Sequence, residues 1–149
     1  SHASESWTIL LQPTSARGEW SGVQPFTPGV DPSTEGPIVA LTRATMRAST
    51  FLRFWRRVPD ISAVIGQDPN VIFKIGIGEV PLLHQVTFSI WPDAAAMANF
   101  ARGNGPHGRA IQAVRAENWF SEELYARFRI LDDWGSWGGQ SPLLKKDAA

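Results

Sequence analysis

Two short runs with a strict two-residue period dominate the sequence. In Val71 to Glu79, the apolar Phe73, Ile75 and Ile77 alternate with Lys74, Gly76 and Gly78. In Gln85 to Trp91, Val86, Phe88 and Ile90 alternate with Gln85, Thr87, Ser89 and Trp91. Successive side chains of a strand point to opposite faces, so each run reads as a strand with one apolar face. Only the connection around Val80-Pro81-Leu82-Leu83 separates them, which pairs them antiparallel.

The flanking segments alternate strand and helix. Ile38 to Ala44 reads as a strand, with Val39 and Leu41 on one face and Ile38, Ala40 and Thr42 on the other. After Ser49-Thr50, a plausible capping pair, apolar residues recur at Phe51, Phe54, Trp55, Val58, Ile61 and Ile65, the spacing of one helix face. Pro59 splits that helix into two pieces and Gly66 ends it. Asp93 caps a helix over Ala94 to Ala101, closed by Gly103, and Pro106 opens another that carries His107, Ala110, Ile111 and Val114 on one stripe. A last strand runs from about Tyr125 to Leu131, ahead of a Trp/Gly-rich tail, Trp134 to Gly139. Before all of these, Trp7 to Leu11 reads as a short buried strand. Residues 12–37, with five Pro, read as a long loop. Residues 1–5 read as a linker or a remnant of tag removal, which sets His2 aside, and 6–149 as a single domain.

The order strand, helix, strand, strand, helix, strand is that of a ferredoxin-like α+β fold, an antiparallel sheet with helices packed on one face. On this reading Phe73, Ile75, Ile77, Val86, Phe88 and Ile90 lie beneath the helices. The opposite set, Lys74, Gly76, Gly78, Thr87, Ser89 and Trp91, faces a second sheet, a ligand or water. An uncovered face with open edges is unfavourable, so the expected assembly is a homo-oligomer or a two-half barrel of the dimeric α+β type.

Composition excludes several classes of function. Fourteen basic residues balance fourteen acidic ones in 149 residues, and no Lys/Arg cluster extends beyond Arg56-Arg57 and Lys145-Lys146. Phosphate backbones demand more positive charge than this, so nucleic acid is not an expected partner. The chain has no Cys, which removes disulfides, thiolate catalysis and Cys-based metal sites. No apolar run approaches the roughly 20 residues needed to cross a bilayer, and the start lacks a signal pattern. The expectation is a soluble, cytoplasmic protein, with a place at the membrane periphery as the alternative.

Few residues carry chemistry by type and position. Glycines at alternate strand positions contribute nothing to packing, so Gly76 and Gly78 mark either a surface that something flat approaches or a twisted edge strand. Lys74, on the same face, either pairs with an acidic group or reaches solvent. His107 stands in the first turn of its helix, where the dipole disfavours an imidazolium and leaves a lone pair for a metal or a proton. The alternative is a hydrogen-bonded core histidine. Arg109, on the same helix, either binds acidic groups or lies on a solvated face. His84, at a turn, has no ligand partner at metal-site spacing and reads as structural. Of seven Trp, Trp20, Trp91, Trp119, Trp134 and Trp137 fall in loops or near element ends, where they line either sites or packing interfaces.

Longer segments carry a resemblance. RGEWSG (Arg17 to Gly22), LTRAT (Leu41 to Thr45), FWRRVP (Phe54 to Pro59), IGQDPNVIFKIGIGE (Ile65 to Glu79), QVTFSIWPD (Gln85 to Asp93), GPHGR (Gly105 to Arg109) and ENWFSEELYARF (Glu117 to Phe128) closely resemble the spheroidene monooxygenase family of carotenoid biosynthesis. The resemblance implies a haem-associated enzyme that uses O₂ and an external electron donor, such as a ferredoxin, to oxidise an acyclic carotenoid beside its methoxy group to a 2-keto product. It makes His107 the axial ligand of the haem iron and Lys74 and Arg109 partners of the propionates. Gly76 and Gly78 become a surface for a flat macrocycle or polyene, and Trp91, Trp119 and Phe120 the border of an apolar substrate channel. Family members carry a further N-terminal stretch, so this chain is expected to correspond to their C-terminal half. Two other functions compete: a cofactor-independent α+β barrel oxygenase, and a non-catalytic haem- or carotenoid-binding module.

Overall fold

A computed structural model describes residues 3–29, 35–50, 52, 53, 56, 69–79, 83–102 and 119–146. Five strands form one antiparallel sheet: β1 (Trp7–Gly18), β2 (Ile38–Met46), β3 (Phe73–Glu79), β4 (His84–Trp91) and β5 (Phe120–Gly135). Their spatial order is β1-β5-β2-β4-β3. The four strands β5-β2-β4-β3 have the ferredoxin-like arrangement, and β1 adds a fifth along the free side of β5. The two period-2 runs pair as the sequence predicts, with Phe73 opposite Ile90, Ile75 opposite Phe88 and Ile77 opposite Val86.

The N-terminal expectation changes. The strand does not stop at Leu11 but runs through Gly18, so residues 12–18 belong to the sheet rather than to a long loop. Pro13 hid this because it cannot donate to a ladder. It is tolerated on an edge strand, beside a register shift between Pro13 and Ser15. At the other end β5 spans sixteen residues, more than twice the predicted run, because β1 and β2 pair along its two sides.

One face of the sheet, here called inner, carries Val39 and Leu41 of β2, Phe88 and Ile90 of β4, Phe73 of β3, and Ala126 and Phe128 of β5. Val39, Ile90, Ala126 and Phe128 form its buried centre. Each large side chain among them contributes roughly 1.5–3 kcal/mol by leaving water. Phe26 packs edge-on against Phe128, and Trp137 edge-on against Phe73. Leu143, on a 3₁₀ turn at Pro142–Lys146, joins the same cluster.

The sheet is strongly coiled. Trp7 and Phe73 belong to its two edge strands, which a flat sheet would hold roughly 19 Å apart at four spacings of about 4.8 Å. Their ring centroids are 5.0 Å apart. The inner face is therefore concave and closed at this end by aromatic rings. Asp133 fixes the Trp7 ring there by accepting its indole N–H at 2.8 Å.

The faces are covered differently from the sequence expectation. Helix α1 (Ala94–Arg102) starts where predicted, with Asp93 Oδ1 accepting the Ala96 N–H at 2.7 Å. Its Phe100 then packs on Trp91, 4.9 Å between centroids, which belongs to the opposite, outer face. The apolar set Phe73 to Ile90 therefore lies beneath Phe26, Trp137 and Leu143 rather than beneath this helix. Alternation shows which residues share a face and does not assign a cover to either. The outer face has apolar residues of its own, Ala44, Met46 and Trp91, all buried. Leu52, Arg53 and Arg56 are helical, and the rest of that predicted helix lies outside the described residues, as does the helix after Pro106.

Candidate functional site: two faces of one sheet

On the outer face, β3 brings Lys74, Gly76 and Gly78 into line, paired across to Ser89, Thr87 and Gln85 of β4. Trp91 follows Ser89 by two residues on this face, and its indole N–H donates to Ser89 Oγ at 3.0 Å. The expected grouping of Lys74, the two glycines and Trp91 is thus present. β3 is an edge strand and both glycines are exposed. A Cβ at Gly76 would meet open space, so nothing among the described residues fills the position that the missing side chain leaves. Lys74 is partly withdrawn from water, which pushes its ammonium below the usual lysine range. It makes no ion pair among the described residues.

Trp119 and Phe120 are not part of this group. Trp91 pairs across from Ile38 at one end of β2, and Phe120 pairs with Met46 at the other. Eight residues of strand separate them, roughly 26 Å. Only a ligand on the scale of the sheet itself reaches both. Trp119 is fully buried, and its carbonyl accepts from Arg47 N and Thr50 Oγ1. His107 and Arg109 lie outside the described residues.

The inner face holds a polar cluster that reading by type missed. Arg43, only 2% exposed, donates Nη1 to Glu122 Oε1 at 2.7 Å and Nη2 to His84 Nδ1 at 2.6 Å. Thr45 Oγ1 lies 3.3 Å from both Arg43 Nη1 and His84 Nδ1. Trp20 covers the guanidinium, with the Arg43 Cζ 4.8 Å from its ring centroid. Glu122 also accepts the backbone N–H groups of Ser21 and Gly22, at 2.9 Å each. These bonds hold the carboxyl below the usual glutamate range, the Gly22 and Ser21 amides first and Arg43 after them, against burial, which acts the other way. Three segments far apart in sequence, RGEWSG, LTRAT and ENWFSEELYARF, meet at this guanidinium. Arg43 drew no notice in the sequence because an arginine among strand residues looks like a solvated position. Its signal was its place two residues beyond Leu41 on the apolar alternation.

Among the described residues no group of His, Asp and Glu could hold a metal ion, and no helix is long and apolar enough to cross a membrane. His84 does not fit as an axial ligand to iron. A guanidinium only donates, so Nδ1 accepts from Arg43 and the ring proton stands on Nε2; ligation through Nε2 would set two donors against each other.

No protein-family model matches the chain. Spheroidene monooxygenase of Rhodobacter capsulatus is 58% identical over 147 residues, 97% of this chain and 61% of that protein. The enzyme of the same name from Cereibacter sphaeroides is 61% identical over 142 residues, 95% of this chain and 44% of its own length. The one from Rubrivivax gelatinosus is 39% identical over 139 residues, 93% and 53% respectively. Among solved structures, a putative monooxygenase from Fusobacterium nucleatum superposes with a TM-score of 0.59 at 10% identity, over 87% of this chain and 54% of that one. A putative antibiotic biosynthesis monooxygenase from Nitrosomonas europaea gives 0.50 at 12% identity, over 71% and 96%. At such identities these two speak for the fold, the antiparallel ferredoxin-like sheet. The chain spans about half the length of the curated relatives it matches, and over nearly all of its own length its sequence is similar to part of the spheroidene monooxygenases.

Proposed function

We propose that this chain forms part of an oxygen-dependent monooxygenase that oxidises the methoxy-bearing end of an acyclic carotenoid to a 2-keto product. The observation that carries this reading is identity of 58% and 61% to two proteins named spheroidene monooxygenase, sustained over 97% and 95% of the chain.

The cofactor in this proposal is haem. The outer face fits it on the described side: Gly76 and Gly78 leave the edge of the sheet thin, and Lys74 offers a partly desolvated cation to a propionate. His84 is committed to Arg43; following the family resemblance, His107 would hold the iron and Arg109, two residues on, would be a second propionate partner. Bound haem supplies the electron-transfer and oxygen chemistry. The protein orients the substrate, excludes water and compensates the charge of the propionates. The proposed substrate border runs from Trp91 at one end of the sheet to Trp119 and Phe120 at the other, a span that suits a long polyene; Trp91 and Trp119, both buried, would support that border from beneath. An external donor of ferredoxin type delivers the electrons. The chain acts as a homo-oligomer or paired with the N-terminal half of its relatives, and at the membrane surface it takes up substrate peripherally.

The test is the absorption spectrum of the purified protein with hemin, before and after dithionite, followed by incubation with spheroidene, O₂ and a reductant. A Soret band that shifts on reduction, together with a 2-keto product identified by mass, is the expected result. Product without a Soret band moves the reading to a cofactor-independent oxygenase, and a Soret band without product to a binding module.

A further inference from the structure

Eight large apolar side chains among the described residues stand at least 48% exposed, and five of them, Leu10, Leu131, Trp134, Trp137 and Leu144, belong to one end of the molecule. That end is a two-stranded ribbon with the tail that follows it. β2 pairs with β5 as far as Arg129, so beyond it residues 130–135 of β5 have β1 alone as partner. Trp7, Ile9 and Leu11 turn inward to the core cluster, and Leu10 between them therefore points away from it. Asp133 turns inward to the Trp7 indole, which turns Trp134 outward. Leu131 is the residue left without a partner at the register shift beside Leu10. The tail then crosses to the inner side, where Trp137 packs on Phe73 and stays half in water. Leu143 enters the core cluster, and Leu144 next to it is 63% exposed.

Scattered apolar residues are ordinary on a surface; five at one end, two of them Trp, are not. They stand on both sides of the ribbon, and a protein partner would meet one side only. The outer side, with three half-exposed residues, offers a few hundred Å², far short of the roughly 800 Å² that each partner gives to a stable interface. A lipid headgroup layer instead closes around a protruding end from every side, and Trp and Leu are residues that settle there. The carboxylates of this end are occupied within the chain. Glu5 accepts Ser136 Oγ and the Gly138 and Gly139 amides at 2.7–2.9 Å. Asp133 accepts the Trp7 indole and the Ser141 hydroxyl, and Asp132 the Asp133 amide. Lys145 and Lys146 close the 3₁₀ turn, so opposite charges nearly balance here.

We propose that this end, through Leu10, Leu131, Trp134 and Leu144, seats in the headgroup region of a neutral phospholipid membrane by apolar contact rather than by charge. What the contact serves rests on the function proposed above: it sets the sheet down where a carotenoid is dissolved.

The test is flotation of the full chain, free of hemin and carotenoid, with phosphatidylcholine vesicles made with and without phosphatidylglycerol. Wild type is expected to float with both, its partitioning changed by less than about twofold by the anionic lipid. Trp134→Ser and Leu144→Ser should each weaken partitioning roughly tenfold, the ratio for keeping one large apolar side chain out of lipid. Val23→Ser, at an exposed apolar position beside Trp20 past the other end of the β1–β5 ladder, should leave it unchanged. Brominated phosphatidylcholine should quench the tryptophan fluorescence of wild type more than that of Trp134→Ser. Circular dichroism checks the fold of each variant. No flotation, flotation only with phosphatidylglycerol, equal quenching, or an equal loss in Val23→Ser overturns the inference. So does a dimer in sedimentation velocity that Trp134→Ser dissociates, which would give this end to a second copy. Turnover of spheroidene dispersed in detergent, without flotation, removes the membrane contact and leaves the proposed function standing. Flotation without turnover does the reverse.

Discussion

The indole of Trp7 and the phenyl ring of Phe73, from opposite edge strands, meet edge to face at 5.0 Å and 71°. Phe73 also touches Phe88 and Trp137, at 6.3 and 5.5 Å, so it anchors the closed end of the concave face. Phe73→Ala is expected to cost about 2–4 kcal/mol, the range for losing a large packed side chain. A double-mutant cycle with Trp7→Ala should give a coupling of about 0.5–1.5 kcal/mol. Urea unfolding of the four proteins measures both, and additive losses would mean that the rings do not support each other.

Gly18 and Gly135 sit at the two ends of the β1–β5 ladder with φ of +94° and +85°. A Cβ on Gly18 would run into the carbonyl of Glu123, and one on Gly135 into that of Ser6. Gly18→Ala and Gly135→Ala should each cost about 1–3 kcal/mol, a fall of roughly 3–10 °C in Tm. Gly76→Ala, where a Cβ meets open space, should stay within about 2 °C of wild type. Thermal unfolding followed by circular dichroism separates the two kinds of glycine.

Glu122 gives a dependence on acid. Its carboxyl is held below the ordinary value of 4.5 by the Gly22 and Ser21 amides and by Arg43. A carboxyl depressed by folding contributes its stability above its unfolded range, and that contribution is lost as pH falls through the folded value. Wild type should therefore keep this contribution from neutrality down to the ordinary value of 4.5 and lose Tm as pH falls below it through the depressed folded value. Glu122→Gln should be less stable at neutral pH and show a shallower loss. Parallel acid slopes in the two proteins would show that another carboxylate governs the response.

Haem uptake tests the outer face. His107→Ala is expected to abolish the Soret band of the hemin-loaded protein. Lys74→Gln should weaken hemin binding several-fold and leave the position of the band unchanged, since in the proposed arrangement Lys74 would partner a propionate and would not ligate the iron. A titration of each variant with hemin decides this. An unaltered spectrum in His107→Ala would move the ligand elsewhere.

The two period-2 runs were legible because β3 and β4 are neighbours in both sequence and space. The cap at Asp93 was legible because it is local. Phe26, Trp137 and Leu143 gave no such signal: what covers the inner face arrives from loops with no period. The polar cluster stayed hidden for a related reason. Arg43, His84 and Glu122 are brought together by strand register, and register depends on pairings between segments as distant as Thr45 and Glu122. Of the expected site residues, Lys74, Gly76, Gly78 and Trp91 fell together because one hairpin carries them all, whereas Trp119 and Phe120 begin a different strand at the far end.

The position of β5 bears on how the chain folds. It is the last of the five described strands in chain order, and it lies between β1 and β2, so Trp7 finds its partner Gly135 only after everything between them has been made. Until then β1 lacks the ladder that β5 supplies. Such distant pairing makes for slow folding and leaves a nascent chain open to aggregation, so yield should depend more on chaperones and synthesis rate than the modest size of the sheet implies.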